Sequence, residues 1–143
     1  MKMLFTSLTL VIAGLLVGYV VLNSGSSTTE TKKIAASGTS VITVLENSAD
    51  FEAIVKESSV PVVIDFYADW CGPCRTQGKI LHDMNLSPAK VQIVKIDVDA
   101  HQDIARDYKV TSIPTLLVFV DGEQIERHVG VASEEQVKEW IGL

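Results

Sequence analysis

Cys71 and Cys74 are the only cysteines among the 143 residues, and they stand two residues apart in the run Trp70-Cys71-Gly72-Pro73-Cys74. Two thiols at that spacing can close a small disulfide ring, and a Gly-Pro turn at a helix start holds them near the geometry that the ring needs. The count excludes other chemistries. A four-cysteine zinc site needs two more sulfurs, and one pair cannot make a framework of several structural disulfides. His82, His101 and His128 lie in no metal-ligating spacing and are expected at the surface, so no metal is expected.

The cysteines follow Val62-Val63-Ile64-Asp65-Phe66-Tyr67, a run that reads as a buried strand, and they open a helix that extends to about Met84. The loop at a strand's C-terminal end is open to a substrate. The helix N-terminus supplies unpaired N–H groups and partial positive charge, which stabilise a thiolate. Cys71 is therefore the candidate nucleophile. Cys74, one turn further in, is expected to be more buried and placed to resolve a mixed disulfide on Cys71. Pro73 suits the first turn, where its absent N–H is not needed. Asp65 is conspicuous inside the apolar strand, because a buried carboxylate is costly and burial raises its pKa.

Elements that position these residues alternate along the chain. A short strand at 41–45 precedes a helix capped by Asn47-Ser48-Ala49-Asp50 that runs through Glu57, and Pro61 breaks the chain before the strand at 62–67. Val91–Asp97 reads as a further strand and Asp103–Tyr108 as a short helix. Thr115–Val120 and Gln124–Val129 form a hairpin about Asp121-Gly122, and Ser133 with Gln136 opens a last helix ending near Trp140. The order βαβαβαββα implies an α/β fold, a central mixed sheet flanked by helices.

Composition divides the chain into residues 1–22, 23–40 and 41–143. The last part carries nine Lys/Arg against seventeen Asp/Glu, a net charge of −8, which argues against nucleic-acid binding. Residues 3–22 contain no charge and would extend roughly 30 Å as a helix, the thickness of a bilayer core. A secretory signal has a shorter apolar region, about 7–15 residues, followed by small residues for cleavage, and Val21-Leu22-Asn23-Ser24 is a poor match. An uncleaved signal anchor, a transmembrane helix, is expected over 1–22, with secretion after cleavage as the alternative. Lys2 before the span and Lys32 and Lys33 after it nearly balance, and the short leading end is expected to stay in the cytoplasm. The globular domain is then extracytoplasmic, periplasmic or at the cell surface. Residues 23–40, rich in Ser, Thr and Gly, form a tether with an r.m.s. reach of roughly 20–25 Å.

Four separated features make residues 41–143 resemble the thioredoxin family: the acid-bearing strand 62–67, the motif Ala68-Asp69-Trp70-Cys71-Gly72-Pro73-Cys74, the segment Thr111-Ser112-Ile113-Pro114-Thr115, and Val129-Gly130 before the last helix. The resemblance implies a thioredoxin fold and a redox disulfide between Cys71 and Cys74. It implies a cis peptide bond before Pro114 and substrate pairing with the Ile113 backbone. Trp70, Gly72, Pro73, Ile113, Pro114, Val129 and Gly130 would form the apolar rim on which protein disulfides dock. Asp65 would exchange a proton with Cys74, and Lys95 would pair with Asp65. No cofactor is needed, since the electrons reside on sulfur. A membrane or soluble dithiol reductase would be the electron donor, and a monomer is expected.

Departures from the family pattern are Lys79 where a kinking proline is usual, Gly78 in place of a better helix former, and Tyr67 at the usual strand tryptophan, so a less regular second helix is expected. The favoured activity is reduction of protein disulfides. Alternatives are a thiol oxidant, a cytochrome c maturation reductase and a non-catalytic binding or holdase module. Gly72-Pro73, Ile113 and Asp65 resemble reducing thioredoxins, and Pro114-Thr115 lacks the Pro-Glu pair of the cytochrome c maturation proteins.

Overall fold

The computed structural model describes residues 41–143; the span expected over 3–22 and the tether over 23–40 lie outside the described residues. Five strands form from the β-branched runs: β1 (Ile42–Val44), β2 (Val62–Tyr67), β3 (Gln92–Asp97), β4 (Thr115–Val120) and β5 (Glu123–Val129). Four helices join them: α1 (Phe51–Glu57), entered through a 3-10 turn at Ser48–Asp50, α2 (Gly72–Asp83), α3 (Gln102–Asp107) and α4 (Glu134–Trp140). Among the described residues no helix is long and apolar enough to cross a membrane.

The strands make one mixed sheet of order β1-β3-β2-β4-β5. β1, β3 and β2 are parallel, while β4 and β5 are antiparallel to their neighbours. β2 lies at the centre with helices over both faces, which is why its run is apolar at nearly every position. Val62, Ile64 and Phe66 join a cluster with Phe51 and Val55 of α1 and Ile104 of α3. Val63 joins a second cluster with Leu81 of α2, Met84, Val137 of α4 and Ile141. Successive strand residues point to opposite faces, so Asp65 shares the α2 face with Val63.

Local chemistry sets the ends of the elements. Asp121 and Gly122 have φ of 52° and 80°, the doubly left-handed turn that a two-residue hairpin favours. Ser133 and Gln136 form a reciprocal capping box at α4, as their spacing predicts. α2 runs unbroken through Gly78, contrary to the irregularity expected from the sequence. An interior glycine costs about 1 kcal/mol in propensity, but packing of the buried face at Cys74, Gln77 and Leu81 decides a helix in a folded domain.

One contact was not legible from sequence. Arg127 of β5 donates from Nη1 to Tyr108 O at 2.9 Å and from Nη2 to Lys109 O at 2.8 Å, capping the carbonyl end of α3. A lysine has no fork with which to reach both carbonyls. Arg127→Ala is expected to lower stability by about 1–2 kcal/mol, with Arg127→Lys recovering less than half, as read from urea unfolding.

Candidate active site

The link from β2 to α2 spans only Ala68 to Cys71, so α2 must fold back antiparallel over the strand that precedes it. Cys71 becomes the N-cap of α2 with extended backbone, and Pro73 falls in the first turn. The two sulfurs are bonded at 2.06 Å, and Cys74 N–H points at Cys71 Sγ at 3.2 Å. That amide is one of the unpaired donors of the helix start, and a donor so placed favours negative charge on Cys71 Sγ. Cys71 Sγ also lies 3.8 Å from Ile113 O. The oxidised sulfur has no proton to give, so this is a contact only.

Burial does not separate the two sulfurs as the sequence suggests. Cys71 is 4% exposed and Cys74 3%. The difference lies in what each faces. Cys71 touches the rim at Ile113, while Cys74 belongs to the inner face of α2 with Gln77 and Leu81.

Asp65 is fully buried, and neither of its carboxylate oxygens has a hydrogen-bond partner in the protein. Burial pushes its pKa up from 3.8 to about 6, with the Lys95 charge pulling the other way. Lys95 is the register partner of Asp65 on β3. Its ammonium does not bond the carboxylate; it sits over the Tyr67 ring, 4.0 Å from the centroid. The pairing is therefore a field effect across adjacent strands. Gly78 lies beside that ammonium, and a Cβ there would meet Lys95 Nζ at 3.6 Å, an ordinary van der Waals contact.

The rim is assembled from three further segments. Trp70 is 70% exposed, its indole N–H donating to Asp99 Oδ2 at 2.8 Å. Gly72 and Pro73 follow at the helix start, half-buried and exposed. Ile113-Pro114 is a cis peptide, and Ile113 packs on Ala68, Cys71 and Cys74. Gly130, at φ 100°, donates its N–H to Pro114 O at 2.8 Å, holding the exposed Val129 next to the same segment. The residues singled out in the sequence thus lie on three segments, 70–74, 113–114 and 129–130, with Asp65 on β2 and Lys95 on β3.

Comparison with known proteins decides the family. A thioredoxin family model matches residues 41–142. The chain belongs to the thioredoxin family. It is 34% identical over 125 residues to mitochondrial thioredoxin of Mus musculus, covering 87% of this chain and 73% of that protein. It is 37% identical over 98 residues to mitochondrial thioredoxin of Rattus norvegicus, covering 68% of this chain but only 59% of that protein. The crystal structure of mitochondrial thioredoxin 3 from Saccharomyces cerevisiae, in its oxidised form, superposes with a TM-score of 0.63 at 37% identity, covering 71% of this chain and 93% of that one. Thioredoxins are disulfide oxidoreductases, and this one carries the bonded cysteine pair on which such exchange runs.

Three residues escaped the sequence reading of this thioredoxin domain. Asp99 holds the Trp70 indole, and only its place just beyond β3 could have hinted at it. Gln77 is buried on α2, one turn after Cys74, where helical spacing gives it the inner face. His101 was expected at the surface and is buried. Its Nε2 bonds Leu45 O and its Nδ1 bonds Ser48 Oγ, both at 2.9 Å, so it ties α3 to the segment after β1. Among the described residues no cluster of His, Cys, Asp and Glu could hold a metal.

The raised pKa of Asp65 fixes a pH dependence. The folded chain keeps this proton up to about pH 6, whereas the unfolded chain releases it near 3.8. Its contribution to stability is thus fully present below the unfolded value and is lost as pH rises through the folded one. Asp65→Asn is expected to stabilise the oxidised protein by about 2–3 kcal/mol at about pH 8 and by almost nothing near pH 4. Urea unfolding at the two pH values checks this; an equal gain at both would remove the electrostatic explanation.

Proposed function

We propose that this chain is a membrane-tethered reductase of protein disulfides, with its thioredoxin domain held outside the cytoplasm. The observation that carries the chemistry is the Cys71–Cys74 pair at the start of α2, above a buried carboxylate that holds a proton up to about pH 6. In the reduced form the Cys71 thiolate attacks one sulfur of a substrate disulfide. A mixed disulfide forms and the first substrate thiolate leaves. Asp65 accepts the Cys74 proton, and the Cys74 thiolate attacks Cys71 Sγ, expelling the second substrate thiolate. Two electrons have passed to the substrate, and the Cys71–Cys74 disulfide remains. A membrane or soluble dithiol reductase then returns two electrons to the pair.

Docking is the task of the rim. Trp70, Val129 and Val131 are exposed apolar side chains in a domain that is otherwise strongly acidic, and Val129 pairs in register with Thr115, two residues after Ile113. An extended polypeptide laid along Ile113 would bring its disulfide over Cys71 in the manner of an added strand. The tether supports the location. Residues 3–22 are uncharged, and the first forty residues contain three lysines and no arginine. That composition suits a membrane span and differs from the Arg-rich amphipathic leader of a mitochondrial import signal.

Cys71→Ser is expected to reduce insulin disulfide reduction to the rate of the reductant alone, and retained activity would overturn the catalytic assignment. Cys74→Ser should instead accumulate dithiothreitol-cleavable adducts, whose protein components name the substrates. A phosphatase reporter fused after Leu143 tests the location. It is expected to be active, as only exported reporter is, and a silent reporter on a stable fusion would place the domain in the cytoplasm.

A further inference from the structure

Building on the exchange reaction proposed above, we propose that Gln77 is a positioning residue of that reaction: its side-chain amide holds the substrate-docking loop at 129–132 against the helix that carries Cys74. Gln77 is fully buried, three residues after Cys74 on the same face of α2. Its Oε1 accepts the N–H of Ala132 at 2.7 Å. Ala132 is itself fully buried and stands just before Ser133, the N-cap of α4, so its N–H lies outside the helix and has no intrahelical acceptor.

The loop is thereby fastened at two points. Gly130 N–H binds Pro114 O at 2.8 Å, which registers the loop with the segment expected to pair with substrate. Ala132 N–H binds Gln77, which registers it with the reacting cysteines. Between and beside these anchors, Val129 is 55% and Val131 40% exposed, so the fastening presents two apolar side chains to a partner. The bond from Gln77 thus fixes the distance between the surface that holds substrate and the sulfur that attacks it.

Packing alone does not account for a glutamine here. Its Nε2 is buried with no acceptor in the protein, an arrangement that stability by itself disfavours. The same interlayer holds the two unpartnered oxygens of Asp65. Val63 and Leu81 share one cluster, and Asp65, two residues on along β2, and Gln77, one turn back along the antiparallel α2, both lie toward the cysteine end of that layer. Replacing Gln77 by methionine exchanges one orphan, the Nε2 group, for another, the Ala132 N–H, and so leaves stability nearly balanced while it cuts the loop's second anchor.

The test uses the full chain in mild detergent, with insulin as substrate and dithiothreitol as regenerant. Gln77→Met is expected to speed amide exchange at Ala132 about tenfold or more and to raise KM for insulin about three- to tenfold, with kcat within about twofold and the unfolding midpoint close to wild type. Gln77→Glu near pH 6, where burial keeps the new acid protonated, retains an oxygen acceptor and is expected to restore KM. Unchanged Ala132 exchange and KM in Gln77→Met would overturn the assignment. So would a fall in kcat and stability with KM unmoved, which is the mark of a purely structural residue. A wild-type chain inactive on insulin would instead defeat the reductase reading, so the two failures are distinguishable.

Discussion

A carboxylate without a hydrogen-bond donor lies buried in the central strand, and the rest of the site is arranged around that cost. Asp65 occupies the face of β2 that α2 covers, close to where the strand ends and the cysteine helix begins. A well-paired acid at that place would be ionised throughout the physiological range. The unpaired one holds its proton up to about pH 6, which suits the proton exchange with a thiol that is proposed for it. Lys95 adds positive potential from the neighbouring strand but is drawn over the Tyr67 ring, so it moderates the acid without neutralising it. Gly78 on α2 lies beside that ammonium. Two of the residues that depart from the usual family pattern, Tyr67 and Gly78, thus lie beside Lys95, whereas the third, Lys79, pairs with Asp83 in solvent.

The second constraint is the short link between β2 and α2. It makes Cys71 the helix cap and forces α2 back over the sheet, and this brings Cys74, Gln77 and Leu81 down onto the face that contains Asp65. The cap sulfur faces the Cys74 amide, while Cys74 itself lies on the inner face of α2. The two cysteines are nearly equally buried in the oxidised form, so their surroundings and not their exposure distinguish them. The cis Ile113-Pro114 segment and the 129–132 loop then close the site from the far side, joined to each other through Gly130 and to α2 through Gln77.

Much of this was legible in the chain itself. Period-two and period-3.6 patterning placed the elements to within a residue, because burial on one face or both dictates where apolar side chains recur. Asp121-Gly122 and Ser133-x-x-Gln136 announced their turn and cap, since those conformations need those residue types. Asp65 stood out because an acid in an apolar strand has few reasons to be there. His101, Asp99 and Arg127 were not legible. Each acts by a hydrogen bond to a residue at least 18 positions away, and a sequence pattern carries no record of which polar atoms meet across such a distance.

The amino-acid sequence by itself determined the fold class, the cysteine pair, the buried acid and the segments that border them, because these follow from local spacing and from what water and apolar surfaces permit. Tertiary structure decided the relations among them. It placed Lys95 on the Tyr67 ring instead of on Asp65, made the two sulfurs equally buried, and joined Gln77 of the cysteine helix to the 129–132 loop. Those outcomes depend on which side chains compete for the same buried volume, and that competition exists only once β2, β3, α2 and the 129–132 loop have packed together.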